Sequence, residues 1–262
     1  MFFFLIKKAF FDMWDHLFRI IFLNLGYILI MGAALFIPYV FLMIPAVPEM
    51  LLFFVSILIS FSLVCVFTGA ASSVTNDIAD YGEPGFRDFF RYLKETYKPS
   101  LLFAVANSCL LFLISLAFPF YMGMKSMVGP VAFAFLFWVS LIWLVSIQFF
   151  FPLQSRINKS FKKNFKKIFL IFFDNTFFAL GVFLGSLVIL VASSFTAFML
   201  PGIGTIVLWV NDAFKLRLYK YDYLEEHPEA NRRKIPWDAL LIDEKERVGK
   251  RTLRGMIFPW KE

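Results

Sequence analysis

KPSLLFAVANSCLLFLISLAFPFYMGMK, residues 98 to 125, decides how the chain is read. Between the two bounding lysines, Ser100 to Met124 carry no charge and are almost wholly apolar. A helix rises 1.5 Å per residue, so the run exceeds the ~20 residues needed to cross about 30 Å of hydrocarbon. The stretch is therefore a membrane helix. Three more runs of the same kind surround it: Ile20 to Pro48, Met50 to Asn76 and Ser126 to Ser155, with Glu49 the lone charge between the first two. A last run, Asn175 to Asn211, is broken by Pro201-Gly202-Ile203-Gly204 and reads as two short helices.

The expected fold class is all-α: a polytopic helical membrane protein with six transmembrane helices over about residues 20–44, 50–74, 100–122, 128–153, 175–196 and 200–218. Composition agrees, since 60% of the 262 residues are hydrophobic and 38 are Phe, against roughly 45 to 50% apolar usage in soluble domains. The opening MFFFLIKKAFFDMWDHLFRI runs apolar to charged, the reverse of a secretory signal, and is expected to be retained. Of the 26 Lys and Arg, all but Lys125 fall before the first span, in alternate loops, or in the tail. Basic loops stay cytoplasmic, so an even number of spans is expected, with both termini in the cytoplasm.

Two loops carry aromatic residues at helical spacing. Phe86, Phe90, Leu93 and Tyr97 follow i, i+4, i+7, i+11, and Phe161, Phe165, Ile168 and Phe172 repeat the pattern without a gap. Each reads as a basic amphipathic helix on the headgroup layer, at about residues 86–98 and 160–173. Arg87, Arg91 and Lys94 in one, and Lys162, Lys163, Lys166 and Lys167 in the other, are the residues for membrane-surface contact with anionic lipid. A weaker third copy is expected at about 8–19. The pattern fits a parallel repeat of three hairpins, or simply the habit of placing basic helices before spans. Pro99-Ser100 and Asp174-Asn175-Thr176 read as breakers, with Asp174 as a helix cap. A buried acid carrying protons or binding a cation is the other reading of Asp174.

Chemistry-bearing motifs are sparse. The central portions of the spans read as free of ionisable residues, which disfavours a proton-coupled carrier. The two histidines and two cysteines form no metal-ligand or disulfide pattern, and no HExxH, GxSxG or phosphate loop occurs. No cofactor, no metal, no enzyme activity and no nucleic-acid partner are expected. A membrane enzyme would need a site built from Asp174, Asn175 and Asp212. Gly181 and Gly185 form a GxxxG pair for helix packing. The Pro201 to Gly204 break is read either as an external turn or as a cavity lined by backbone at Gly202 and Gly204.

The layout resembles the YesL-like family of bacterial membrane proteins over about residues 10–224. The likeness lies in the Pro-containing turn after the first span, Phe67-Thr68-Gly69-Ala70-Ala71, GFRDFFRYLKETYKPSLLF, FFFPLQSRINKSFKKNFKKIFLIFFDNTFFAL and LPGIGTIVLWVNDAFKLRLYKY. The resemblance implies companionship with carbohydrate uptake: an accessory or scaffold subunit beside the permease and ATPase subunits of an ABC-type importer. It supplies no functional residue. An autonomous transporter or channel for a small solute is the alternative, and a homo-oligomer is compatible with either. Residues 225–262 form a charged cytoplasmic tail whose anchors are read as Pro236, Trp237, Pro259 and Trp260. It is expected to dock on the protein's own loops or on a partner rather than on lipid.

Overall fold

The structure, a computed structural model, describes residues 1–43, 49–157, 160–232, 234–249 and 251. Among these every regular element is a helix. In chain order they are α1 (Phe2–Asp15), α2 (Leu17–Leu42), α3 (Glu49–Ala79), α4 (Phe86–Gly123), α5 (Val128–Ile147), α6 (Phe150–Arg156), α7 (Phe161–Asp174), α8 (Thr176–Ser194), α9 (Gly202–Glu226), α10 (Trp237–Leu240) and α11 (Ile242–Val248). Five helical runs are long and apolar enough to cross a membrane: Leu17–Phe41, Leu51–Ala79, Phe86–Gly123, Val128–Arg156 and Thr176–Ser194. The Pro45 to Pro48 turn lies outside the described residues.

The expected break at Pro99-Ser100 is absent, and α4 runs unbroken through Pro99 and Pro119. An internal proline costs roughly 3 kcal/mol, but here α4 lies antiparallel along α3 over its whole length. Phe89 stacks on Phe67 at 5.1 Å, and Phe112 meets Phe54 at 4.7 Å. Between them Thr96 and Ser100 close on Gly69, where a Cβ would lie 2.3 Å from the Ser100 hydroxyl. Packing offsets the local penalty. The segment expected as a separate interfacial helix at 86–98 is thus the first third of α4. The break at Gln148-Phe149 between α5 and α6 has a local cause instead. Pro152 cannot donate to the Gln148 carbonyl, and the Gln148 amide satisfies the Val145 and Ala179 carbonyls there at 2.7 and 3.0 Å.

The two aromatic stripes that overlay in sequence meet different surroundings. In α7, Ile168 and Phe172 are buried; Phe161 packs on Phe150 at 5.7 Å and Phe165 on Trp143 at 5.2 Å. That stripe faces the protein, not the headgroup layer as expected. In α4, Phe86, Phe90 and Tyr97 remain exposed, and the inward residue is Phe89, one position off the stripe. α1 is shifted toward the N-terminus relative to the expected 8–19 and ends at His16.

α9 is the central element, packed against α1, α2, α3, α6 and α8. Leu208, Asn211, Asp212, Ala213, Phe214 and Leu216 are all fully buried. Its start fixes the depth of the last hairpin. Asn24 on α2 donates to the carbonyls of Met199 and Pro201 at 2.8 and 2.7 Å and accepts from Gly204 N–H at 2.7 Å. Asn24 lies seven residues into α2, about 10 Å along its axis, and α2 continues for roughly 27 Å beyond it. The α8–α9 turn therefore stops well short of the level that α2 reaches.

Of the two readings of the break at Gly202 and Gly204, turn or cavity, that same contact supports the turn. Asn24 is fully buried and occupies the break, and a Cβ on Gly202 would lie 2.3 Å from its amide. Gly202 has φ +77°, a conformation open to glycine at low cost, so the sequence break is a turn shaped to receive a side chain.

Candidate functional site: a buried ion network at the base of the bundle

α1 turns Leu5, Lys8, Ala9 and Asp12 to one face, the i, i+3, i+4, i+7 spacing of a buried stripe. Two of these four are ionisable, and both are buried with the rest. The Lys8 ammonium contacts Asp12 at 2.5 Å, the Ala79 carbonyl at 3.0 Å, Asp212 at 3.3 Å and Glu244 at 3.7 Å. It also lies 4.2 Å from the centre of the Tyr81 ring. Burial works against the charged lysine, but Asp212 and Asp12 outweigh it and hold the proton on more firmly than usual.

A second lysine completes the node. Lys215, one turn beyond Asp212 on α9, reaches Glu244 at 2.6 Å, Asp80 at 3.2 Å and the same Ala79 carbonyl at 2.8 Å. Ala79 is the last residue of α3, so a free helix-end carbonyl serves as the shared acceptor for both ammonium groups. Arg156 at the end of α6 bonds Asp80 through two nitrogens at 3.0 to 3.2 Å. Glu244 accepts from Tyr81 at 2.6 Å and from Tyr219 at 2.8 Å.

The protonation pattern follows from these contacts. Burial raises the Asp12 carboxyl, and the charge of Asp212 raises it further, beyond what Lys8 lowers it. Burial also pushes Glu244 up, but the bonds from Lys215 and Tyr81 and the charge of Lys8 outweigh that and hold it below the usual glutamate range. Three cations (Lys8, Lys215, Arg156) face four carboxyls (Asp12, Asp80, Asp212, Glu244), and the tail supplies one of the four. Neither Asp212 oxygen has a hydrogen-bond partner among the described residues, so its compensation comes from the ion pair with Lys8.

The tail is thus held by a face not expected from its Pro-Trp pairs. Leu241, Glu244 and Val248, at i, i+3, i+7, are buried against the bundle. Lys7 donates to the Gly249 carbonyl at 2.9 Å, and Arg251 bonds Asp15 at 2.8 and 2.9 Å. Pro236 is exposed, while Trp237 is half-buried with the Arg217 guanidinium 5.3 Å from its ring. Pro259 and Trp260 lie outside the described residues.

Asp174 is not a helix cap. It closes α7, while Asn175 stands at the start of α8 without a side-chain capping bond. The Asp174 carboxylate pairs with Lys220 at 2.6 Å and accepts from Tyr221 and Asn175, each at 3.1 Å. Burial raises its pKa, but the Lys220 and Tyr221 bonds prevail and leave it below the usual carboxylate range. Lys220 lies eight residues past Asp212, about 12 Å along α9. Asp174 and Asn175 therefore belong to a second cluster, not to one site with Asp212.

Of the remaining sequence candidates, Arg87, Lys94, Lys162, Lys163 and Lys166 are exposed and Lys167 is half-buried. Arg91 is turned toward Asp88 at 2.9 Å and the Tyr92 hydroxyl at 3.1 Å. Gly181 faces the ring of Phe2, and Gly185 faces that of Trp209, where a Cβ would lie 2.6 Å away. Sequence reasoning missed the ion node. Its local trace is the i, i+4 pair of Lys8 and Asp12 on the apolar stripe of α1. Comparison with protein-family models, curated proteins and solved structures finds no match to this chain.

Proposed function

We propose that this chain is a non-enzymatic accessory or scaffold subunit of a bacterial inner membrane, working beside the permease and ATPase subunits of an ABC-type carbohydrate importer. The observation that carries the scaffold reading is Asn24: the break in the last apolar run holds a buried side chain with three hydrogen bonds, not a passage. The tail bound to the bundle's base through Glu244 adds a preformed face for a partner. The importer and its sugar are what the resemblance to the YesL-like family implies.

In this reading α2, α3, α4 and the α5–α6 run cross the bilayer, and the α8–α9 hairpin dips in and returns at the depth of Asn24. Six full crossings would leave the termini on the same side, so the charge alternation of the loops fits either count. What supports the dipping hairpin is the roughly 27 Å of α2 beyond Asn24.

One observation favours a second reading, a proton-coupled carrier. Asp212 is fully buried beside Lys8 and Asp12, and buried ionisable groups in membrane proteins commonly belong to transport. Purification separates the two. Met1 and Phe2 pack against the protein, so the affinity tag belongs in the exposed turn at Ser126. Gentle extraction from the native membrane is expected to bring down permease and ATPase subunits. Recovery of the protein alone, together with proton-coupled flux in liposomes that Asp212→Asn abolishes, would overturn the scaffold reading in favour of the carrier.

A further inference from the structure

A groove of about 750 Å³ separates α1 from α8 and is floored by α9. Phe2, Ile6 and Trp14 line the α1 wall, Gly181, Gly185 and Val188 the α8 wall, and Trp209 the floor. The two glycines let two rings close on α8, Phe2 against Gly181 and Trp209 against Gly185. Its volume falls within the ~300–1,000 Å³ of small-molecule sites.

The groove's chemistry selects its occupant. Two of its polar groups are already used: the Trp209 indole N–H donates to the Val182 carbonyl at 2.9 Å, and the Thr205 hydroxyl to the Pro201 carbonyl at 2.5 Å. Apart from the indole N–H of the half-exposed Trp14, the side chains that remain offer hydrocarbon and ring faces. The mouth is continuous with the membrane-facing surface. On one side stand Val188, Val191 and Phe195 of α8, and on the other Phe3 and Phe18, all widely exposed and apolar. In a chain with five apolar helices long enough to cross a membrane, bilayer hydrocarbon is the surrounding that matches such a surface.

α1 itself is placed to hold a chain there. Lys7 and Asp15 face the tail, through Gly249 and Arg251, and Leu5, Lys8 and Asp12 face the core. The third side, with Ile6, Phe10 and Trp14, is left to the groove. The helix is pinned on two sides by ion pairs and packing, so it cannot collapse onto α8 to fill the space.

We infer that this groove is a lipid site holding one acyl chain of a bilayer phospholipid as a resident part of the protein. The chain lies along α8 beside Val188, with its methylenes against the Phe2 and Trp209 rings. The glycine pair, read from sequence as a helix-packing motif, then seats the two rings that line the site.

Trp209 is the reporter, since it is only 4% exposed and its ring is reached through the groove. A full-length variant with Trp14, Trp138, Trp143, Trp237 and Trp260 changed to Phe would be reconstituted in phosphatidylcholine vesicles with brominated or plain acyl chains. The expected result is loss of most Trp209 emission with the brominated lipid, persisting after transfer to plain detergent, and its recovery when Val188→Phe fills the groove. Equal emission in both vesicles, quenching that vanishes on transfer, or quenching untouched by Val188→Phe would each overturn the inference. Trp143 bonds Asn107 at 2.9 Å, so the multiple variant tests folding too. Native mass spectrometry of the unsubstituted chain covers that risk. One phospholipid mass retained, and lost in Val188→Phe, supports the site; binding of an adventitious additive only, such as the detergent, refutes it.

Discussion

Glu244→Gln is the sharpest perturbation of the ion node. The substitution keeps the side chain's shape and removes its charge. Its new amide nitrogen is a donor placed among donors, since Lys215, Tyr81 and Tyr219 all give hydrogen bonds to the carboxylate at 2.6 to 2.8 Å. Lys215 and Glu244 side chains are 11% and 5% exposed, so solvent screens little of the loss. Removing one member of a buried pair costs about 3–5 kcal/mol. The tail's other anchors, Leu241, Val248 and the contacts of Gly249 and Arg251, stay in place but must now offset the ordering entropy without the buried pair, at roughly 1–2 kcal/mol per residue. The variant tail therefore undocks while the bundle stays folded. Hydrogen exchange in nanodiscs reads this directly: protection across residues 242–249 is expected to fall by about two to three-and-a-half orders of magnitude, with α3 and α4 unchanged. A fall of less than about tenfold, 1.4 kcal/mol, would refute the claim that the node holds the tail. Lys215→Met added to Glu244→Leu, replacing both charges, is expected to recover part of the protection.

Tail docking should pass through a maximum with pH. Glu244 sits below its ordinary 4.5, so its contribution is present above that value and lost as pH falls through the lowered one. Asp12 sits above its ordinary 3.8, so its contribution is lost as pH rises through the raised value and a second carboxylate meets Asp212. Trypsin release of the tail is expected to rise at both extremes, with Asp12→Asn abolishing the alkaline limb alone. Asn24→Ala strands two carbonyls and one N–H at the α8–α9 turn; at about 1–3 kcal/mol per buried group, a thermal scan is expected to show one of the larger single-residue losses, and a neutral result would contradict the plug. A cysteine at Thr196, in a chain with Cys65 and Cys109 replaced, is expected to resist a membrane-impermeant thiol reagent from the side that labels a cysteine at Lys125. Equal labelling from that side would mean the hairpin crosses completely.

The parts of the fold legible in the sequence were those set by local periodicity. The uncharged runs became helices, and the stretch read as 160–173 became α7 at 161–174. The alternation of basic loops was equally plain. What the sequence hid was decided by neighbours. Pro99 carries a local penalty, and only the fit of Thr96 and Ser100 against Gly69 keeps α4 straight through it. The two aromatic stripes are the same pattern, yet one packs on Trp143 and Phe150 and buries Ile168 and Phe172, while the other touches Phe22 through Phe86 and leaves Phe86, Phe90 and Tyr97 exposed. Asn24 reads as one polar residue in an apolar span, and its meaning depends on a turn 175 residues away. In the tail, Trp237 drew notice for its size, whereas the anchor was one of eight acids that nothing local sets apart. Charge pairs across long separations leave no periodic trace, which is why the node was invisible while the helices were not.

The node also sets an order of assembly during synthesis. Lys8 and Asp12 emerge from the ribosome 200 residues or more before Asp212 and Glu244. At about 5–20 residues per second that is roughly ten seconds or more. Throughout that interval α1 has charges to bury and nothing to bury them against, so it waits at the membrane surface while α2 to α5 insert. The chain's first helix is the last to be fixed, and a ribosome halted before Asp212 would leave it unmoored.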